Sequence, residues 1–320
     1  MDTAPTHSNP RPDLSHLRIG FIGTGVMGAA MAGHLLDAGA RLTVHTRTVA
    51  RAEPLLARGA RWAPTPAAAA TDAEVVISIV GMPDDVEAVY FGASRPDGDA
   101  LGEAAVGVLA AAAPGTLLID MTTSRPSLAV AIHAAAAARG IAALDAPVSG
   151  GDVGARNATL SIMVGGDVEA FDRARPTLAT LGRLIVHQGP AGAGQRTKLC
   201  NQIAIAGTML GVLEALAFAE HSGLDPTTVL ESIGAGAAGS WTMTNLYPRV
   251  IAGDFAPGFT ARHFLKDLRL ALEEARTMPV ELPGLALAER LYARMVEAEG
   301  RGELGTHGLY LTMGERRATG

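Results

Sequence analysis

Thiols are almost absent from this 320-residue chain, which has a single cysteine, Cys200. That excludes an internal disulfide and fits a reducing compartment, the cytoplasm. Aromatic residues are scarce at 4%, so an aromatic-rich sandwich core is excluded. Abundant alanine and 38 glycines favour close helix–helix and helix–sheet packing instead. Charged residues make up only 18%, and the net charge of −6 shows no basic cluster, which argues against nucleic acid or an anionic membrane as partner. The nine histidines lack metal-ligand spacing and only one thiol is present, so no metal is implied. His34, His45 and His133 read as surface or packing residues.

What is present is a large apolar fraction, 48%, enough for two domains. One run, Leu199 to Ala219, is long enough to suggest a membrane span. It opens with Asn201 and Gln202 and contains Glu214, so it reads as a buried core helix. The polar, proline-rich residues 1–16 read as a disordered tail, without the apolar stretch of a signal peptide.

Short β-like runs at 18–24, 41–46, 74–80, 116–120, 141–145, 160–164 and 183–187 alternate with helical stretches, including 26–37 and about 49–58. Such alternation implies an α/β fold with a parallel, doubly wound sheet. Residues 93–102 read as a surface loop. After His187 the strand period disappears, and 195–222, 226–233, 262–275 and 284–299 all look helical. The chain therefore divides into a doubly wound domain over 17–188 and an all-helical domain over 189–320, whose alanine and glycine content suggests oligomerisation.

Gly23-Thr24-Gly25-Val26-Met27-Gly28 matches G-x-G-x-x-G between a strand and a helix, the context that the dinucleotide fingerprint requires. The first glycine turns the chain, the second admits a pyrophosphate, and the third allows tight packing at the helix N-terminus. An NAD-selective site carries an acid after the second strand, where this chain has Thr46-Arg47-Thr48. A guanidinium and two hydroxyls suit a 2′-phosphate, so NADP is preferred, with NAD possible. Three further segments fall at strand ends, where ligands gather in such folds. These are Val80-Gly81-Met82, the hydroxyl-rich run after Asp120 that contains Thr122, and the turn Ser149-Gly150-Gly151, which suits a carboxylate.

Lys198, Asn201 and Gln202 stand at i, i+3 and i+4 and so share one helix face. A lysine against apolar walls has a lowered pKa and can act as a general acid/base. Read from this segment alone, it is equally an exposed charge on a first turn.

Taken in order, the motifs IGFIGTGVMGAAMAGHLLDAG, DMTTSRP, DAPVSGGDVGARNATLSIMVGG, GAGQRTKLCNQ and DFAPGFTARHFLKDLRLA resemble those of the β-hydroxyacid dehydrogenase family. That family includes 3-hydroxyisobutyrate dehydrogenases and semialdehyde reductases and is related to 6-phosphogluconate dehydrogenase. The resemblance covers nearly everything after the tail. It implies a Rossmann domain joined by a long helix to an all-α domain, with Lys198 as the catalytic lysine and Gln202, with Asn201 beside it, as its partner. It places cofactor contacts on the 23–28 loop, Val80, Gly81, Thr122 and Lys266, and the substrate carboxylate on Ser149, Gly150 and Gly151. Thr122 would lie between ribose and substrate.

Thr122 replaces the family's usual serine, and Gly305-Thr306-His307 replaces an acidic version, so both changes bear on substrate identity. The implied reaction is reversible hydride transfer on a small 3-hydroxy acid or its semialdehyde, in a homodimer or homotetramer. Imine reduction on the same architecture and a non-catalytic NADP-binding scaffold are the alternatives. Lys198 argues against the first, and the intact motifs argue against the second.

Overall fold

The computed structural model describes residues 12–92 and 106–313. The expected tail lies outside the described residues as far as residue 11, and so does the surface loop expected from residue 93. The fold begins ahead of the expected edge at residue 17. Leu14 is fully buried, and its N–H bonds the carbonyl of Ala38 at 2.8 Å.

The chain forms two compact units, Met1–Gln195 and Arg196–Gly320. In the first, the strands are β1 (Arg18–Ile22), β2 (Arg41–His45), β3 (Arg61–Trp62), β4 (Val75–Ser78), β5 (Leu117–Asp120), β6 (Ala142–Asp145), β7 (Val148–Ser149), β8 (Leu160–Gly165) and β9 (Gly182–Gly189). Between them come α1 (Val26–Asp37), α2 (Glu53–Leu56), α3 (Pro66–Ala70), α4 (Pro83–Phe91), α5 (Val108–Ala111), α6 (Pro126–Ala137), α7 (Gly151–Arg156) and α8 (Val168–Ala179).

The sheet order is β3-β2-β1-β4-β5-β6-β8-β7, with β9 on β8. The first six strands pair in parallel in the 3-2-1-4-5-6 order of a dinucleotide fold, whose direction reverses between β1 and β4. Their near-continuous apolar sequences follow from being covered on both faces. One correction to a wholly parallel sheet is needed. β8 runs antiparallel to β6 and β7: the chain passes Pro147 without reversing and turns back only through Gly150, Gly151 and the short α7. The helix expected over 49–58 is a 3₁₀ turn at Val49–Arg51 followed by the single turn of α2.

α9 (Ala193–His221) starts in the first unit and runs on as the first helix of the second. It is long and apolar enough to cross a membrane by length and composition. In the fold it is a core helix, burying Leu199, Ala206, Met209, Leu213 and Leu216. Burying each leucine contributes roughly 1.5–3 kcal/mol. Around it are α10 (Pro226–Gly234), α11 (Trp241–Asn245), α12 (Tyr247–Ile251), α13 (Ala261–Ala275) and α14 (Pro283–Ala293). The last continues as a π-helical turn, Arg294–Ala298, and a 3₁₀ segment follows at Thr306–Thr312. α13 is strongly amphipathic: Phe264, Asp267, Leu268 and Ala271 are all buried at helical spacing. Phe264 meets Tyr292 of α14 edge-on, with ring centroids 4.9 Å apart.

The unit boundary lies at Gln195, past the expected residue 188. Asp145 and the Gln195 side chain bond the head of α9 to the sheet unit, and a change of period does not report side-chain bonds.

Candidate active site

In the sheet unit the dinucleotide loop sits at the carboxyl end of β1, beside β4, where the strand order reverses. Gly23 has φ +99°, and a Cβ there would lie 2.1 Å from the carbonyl of Ile79, so only glycine fits. A Cβ on Gly28 would lie 1.9 Å from the carbonyl of Gly23, which is the tight helix–strand packing that the third glycine serves. Gly25 differs from both: its φ is ordinary, −71°, and a Cβ would meet nothing within 4 Å. The fold itself gives no reason for a glycine at that position, whereas a ligand approaching the backbone would.

α1 begins there with no side-chain cap and no acid in its first turn, leaving its N–H groups and dipole for an anion. The Thr24 hydroxyl is buried with no hydrogen-bond partner, although buried polar groups are normally satisfied. An unshared hydroxyl, an uncapped helix start and the open space at Gly25 fit a dinucleotide pyrophosphate. Val26 is 74% exposed, and Met27 is half-buried beside the core.

After β2, Thr46 is buried while Arg47 and Thr48 are exposed. The Arg47 guanidinium lies 3.5 Å from Asp85. The guanidinium is largely exposed although the carboxylate is mostly covered, and at this length the contact holds Arg47 weakly enough for it to turn to a phosphate. Val80, half-buried, donates its N–H to the Thr122 hydroxyl at 3.0 Å, and Gly81 follows it. Met82 caps α4 and donates its N–H to Asp85 at 3.0 Å.

Thr122 is 2% exposed. Its hydroxyl takes the Val80 N–H, and its own N–H bonds Asp120 at 3.1 Å. Its hydroxyl oxygen thus accepts a bond from the end of β4 while the residue itself stands just past β5. Asp120 also accepts from Ser78, which pairs with the Tyr90 hydroxyl. Burial pushes its carboxyl up to about 6, opposed by the Thr122 and Ser78 bonds. The next hydroxyl along, that of Ser124, is buried without a partner.

Ser149 pairs with Ser161 across β7 and β8. Gly150 and Gly151 follow with φ +128° and +61°, a turn that side chains rarely adopt and that presents successive N–H groups. A Cβ on Gly151 would meet nothing within 4 Å. The three histidines are all engaged in the fold. His34 lies 3.0 Å from the carbonyls of Ala155 and Arg156, His45 3.0 Å from that of Ala63, and His133 3.1 Å from Asp167. Among the described residues, no group of three His, Cys, Asp or Glu side chains could hold a metal ion.

In the helical unit, four of the expected residues form one connected network. The Lys198 ammonium donates to Gln202 Oε1 at 2.9 Å, and Asn201 Nδ2 donates to the same oxygen at 2.8 Å. Gln202 Nε2 donates to Asp267 Oδ2 at 2.6 Å. Lys266 Nζ lies 2.9 Å from Asp267 Oδ1. Two donors at Oε1 and one acceptor at Nε2 fix the orientation of the Gln202 amide.

Lys198 is 7% exposed. Burial lowers its pKa from 10.5 to about 8; Asp267 pulls it up and Lys266 pushes it down. A buried amine balanced near neutrality is the property that a general acid/base needs.

Asp267, the carboxylate that joins both lysines, gains its role only from the structure. The sequence did hold a signal: these are the chain's only two lysines, and Asp267 falls on the apolar stripe of an amphipathic helix, where an unpaired acid is costly. Asp145 and Gln195 likewise gain a role only from the structure. Asp145, raised by burial and lowered by its backbone partners, accepts the N–H groups of Gly192 at 2.8 Å and Gln195 at 2.7 Å.

Residues 18–189 match the family model of the NAD binding domain of 6-phosphogluconate dehydrogenase. Residues 192–311 match that of the NAD-binding region of NADP-dependent 3-hydroxyisobutyrate dehydrogenase. An uncharacterised oxidoreductase of Bacillus subtilis is 51% identical, over 91% of this chain and 97% of its own. An NAD-dependent L-serine dehydrogenase of Pseudomonas aeruginosa is 41% identical, over 89% and 94%. Among solved structures, 3-hydroxyisobutyrate dehydrogenase of Mycobacterium tuberculosis with L-serine superposes with a TM-score of 0.82. It is 32% identical and covers 93% of this chain and 99% of its own.

Proposed function

The chain belongs to the β-hydroxyacid dehydrogenase family of nicotinamide-dependent oxidoreductases, and from that premise we propose that it interconverts a small 3-hydroxy acid and its semialdehyde with NADP(H) as the preferred cofactor. The observation that carries this reading is Lys198, buried, held by Gln202 and lowered to about 8. The names of its relatives support 3-hydroxyisobutyrate or L-serine as the kind of substrate. Arg47 with Thr46 and Thr48, and the absence of an acid there, supports NADP over NAD.

The nicotinamide, when bound, supplies or accepts the hydride. The loop from Gly23 to Gly28 would hold the pyrophosphate, with Val80, Gly81, Met82, Thr122 and Lys266 as further cofactor contacts. In reduction, Lys198 Nζ gives its proton to the carbonyl oxygen; in oxidation, the neutral amine takes the hydroxyl proton. Gln202, itself oriented by Asp267 and Asn201, keeps the amine in place through both states. The N–H groups of Ser149, Gly150 and Gly151 would receive the substrate carboxylate, with Thr122 between ribose and substrate.

The enzyme is cytoplasmic in this reading, which its one exposed thiol, Cys200, supports. It is a homodimer or homotetramer, which the exposed Phe218, Leu224 and Trp241 of the helical unit support.

The test is NADPH oxidation with tartronate or succinic semialdehyde. Lys198→Ala is expected to lower turnover by about 10²–10⁴-fold and leave NADPH binding intact. Wild-type protein that binds NADPH but turns over neither semialdehyde nor hydroxy acid would return the reading to a cofactor-binding scaffold.

A further inference from the structure

Gln195 is fully buried on the first turn of α9, and both ends of its amide are used on one loop. Its Oε1 accepts the Ser124 N–H at 2.8 Å, and its Nε2 donates to the Thr122 carbonyl at 2.7 Å. It thereby bonds the loop after β5 as a neighbouring strand would. The main chain at the same residue is fixed separately through its N–H to Asp145.

Two glycines let the backbones come this close. A Cβ on Gly194 would lie 2.4 Å from the Met163 carbonyl, and one on Gly165 would lie 2.5 Å from Asp145 Oδ1. Thr122 in turn holds the Val80 N–H, so the bonds run from the end of β4 through the β5 loop to the head of α9. Lys198 is three residues further along that helix.

We infer that Gln195 is a positioning residue, whose amide sets the register between the Thr122–Ser124 loop and the start of the helix that carries the proton donor. Both ends of its amide are taken up within the fold, and it acts through the two segments that it joins. The inference rests on the dehydrogenase reading for its consequence in turnover, but not for the coupling itself.

Gln195→Met keeps the length and removes both bonds. Hydrogen exchange followed by mass spectrometry is expected to speed up by about tenfold in peptides spanning 121–125 and 192–197, and not across the rest of the sheet unit. The kcat for semialdehyde reduction is expected to fall by about tenfold or more, with the NADPH dissociation constant changing by less than about threefold. Gln195→Glu supplies a second readout. The ionised side chain repels the Thr122 carbonyl, whereas the protonated one is isosteric with glutamine and donates to it. The neighbouring carboxylates are Asp145 from β6, bonded to the main-chain N–H of this residue, and Asp120 from β5, bonded to the Thr122 N–H; both favour protonation of the new glutamate.

Its kcat relative to wild type is therefore expected to rise as the pH is lowered from 8.5 to 6. Unchanged exchange in the two named segments, or a Gln195→Glu deficit that is the same at every pH, would overturn the inference. Wild-type protein without turnover would defeat the dehydrogenase reading alone, because the exchange measurement still decides the coupling.

Discussion

Replacing Lys198 by methionine should make the protein more resistant to unfolding near neutral pH, although it removes the group proposed to move the proton. The lysine pKa falls from 10.5 in the unfolded chain to about 8 in the fold. Below that lower value the native state must carry a charge that its surroundings disfavour, and the penalty is relieved as pH rises from 8 towards 10.5. At pH 7 it amounts to about 3 kcal/mol, and at pH 9.5 to about 1 kcal/mol.

Methionine approximates the lysine stem and needs no charge. It forfeits the bond to Gln202, about 1–3 kcal/mol, but leaves Gln202 Oε1 satisfied by Asn201. The firm quantity is the difference of differences. The advantage of Lys198→Met over wild type should shrink by about 2 kcal/mol between pH 7 and pH 9.5, whatever the packing change contributes. Urea unfolding of both proteins at the two pH values measures it. A stability difference that does not move with pH would refute the account of a buried lysine held at reduced pKa.

Two further substitutions examine the cofactor side. Gly25→Val should leave the melting temperature within about 2 °C and weaken NADPH binding by more than about tenfold, whereas Gly28→Val should destabilise the fold by at least about 2 kcal/mol; calorimetry together with NADPH fluorescence titration separates them, and equal stability losses would deny Gly25 a ligand role. Arg47→Glu should lower the ratio of NADPH to NADH efficiency by about tenfold or more, read from kcat/KM with each cofactor.

Much of this architecture was legible because repeated local signals agreed. The alternation of short apolar runs with glycine-ended helices placed all seven longer strands and α1, and Gly23–Gly28 could be understood from its place between a strand and a helix. β3 and β7 were not visible, since a two-residue strand has no period; Arg61 and Trp62 join the sheet only because β2 offers an edge. Helical spacing put Lys198, Asn201 and Gln202 on one face, and the family resemblance made Gln202 the lysine's partner. Asp267, 65 residues from Gln202, could not be paired with it, because helix spacing says nothing about which two helices meet. Gln195 was hidden for a related reason: it sits among residues read for the lysine that follows, and its partners are main-chain atoms of a distant loop.

The placement of both lysines in one network also determines how the protein meets amine-directed chemistry. Lys198 is 7% exposed and the Lys266 side chain 10%, while every other long cationic side chain is a guanidinium, which does not form Schiff bases under ordinary conditions. An aldehyde offered to the native chain with borohydride would therefore find few competitors beyond the α-amino group. The neutral fraction of Lys198 near pH 8 makes it the favoured side chain for capture. Mass spectrometry after such trapping would report on the occupancy of the proton-transfer site without any turnover assay, and prior loading with a carboxylate-bearing competitor would show whether the captured amine and the acid site are served by the same ligand.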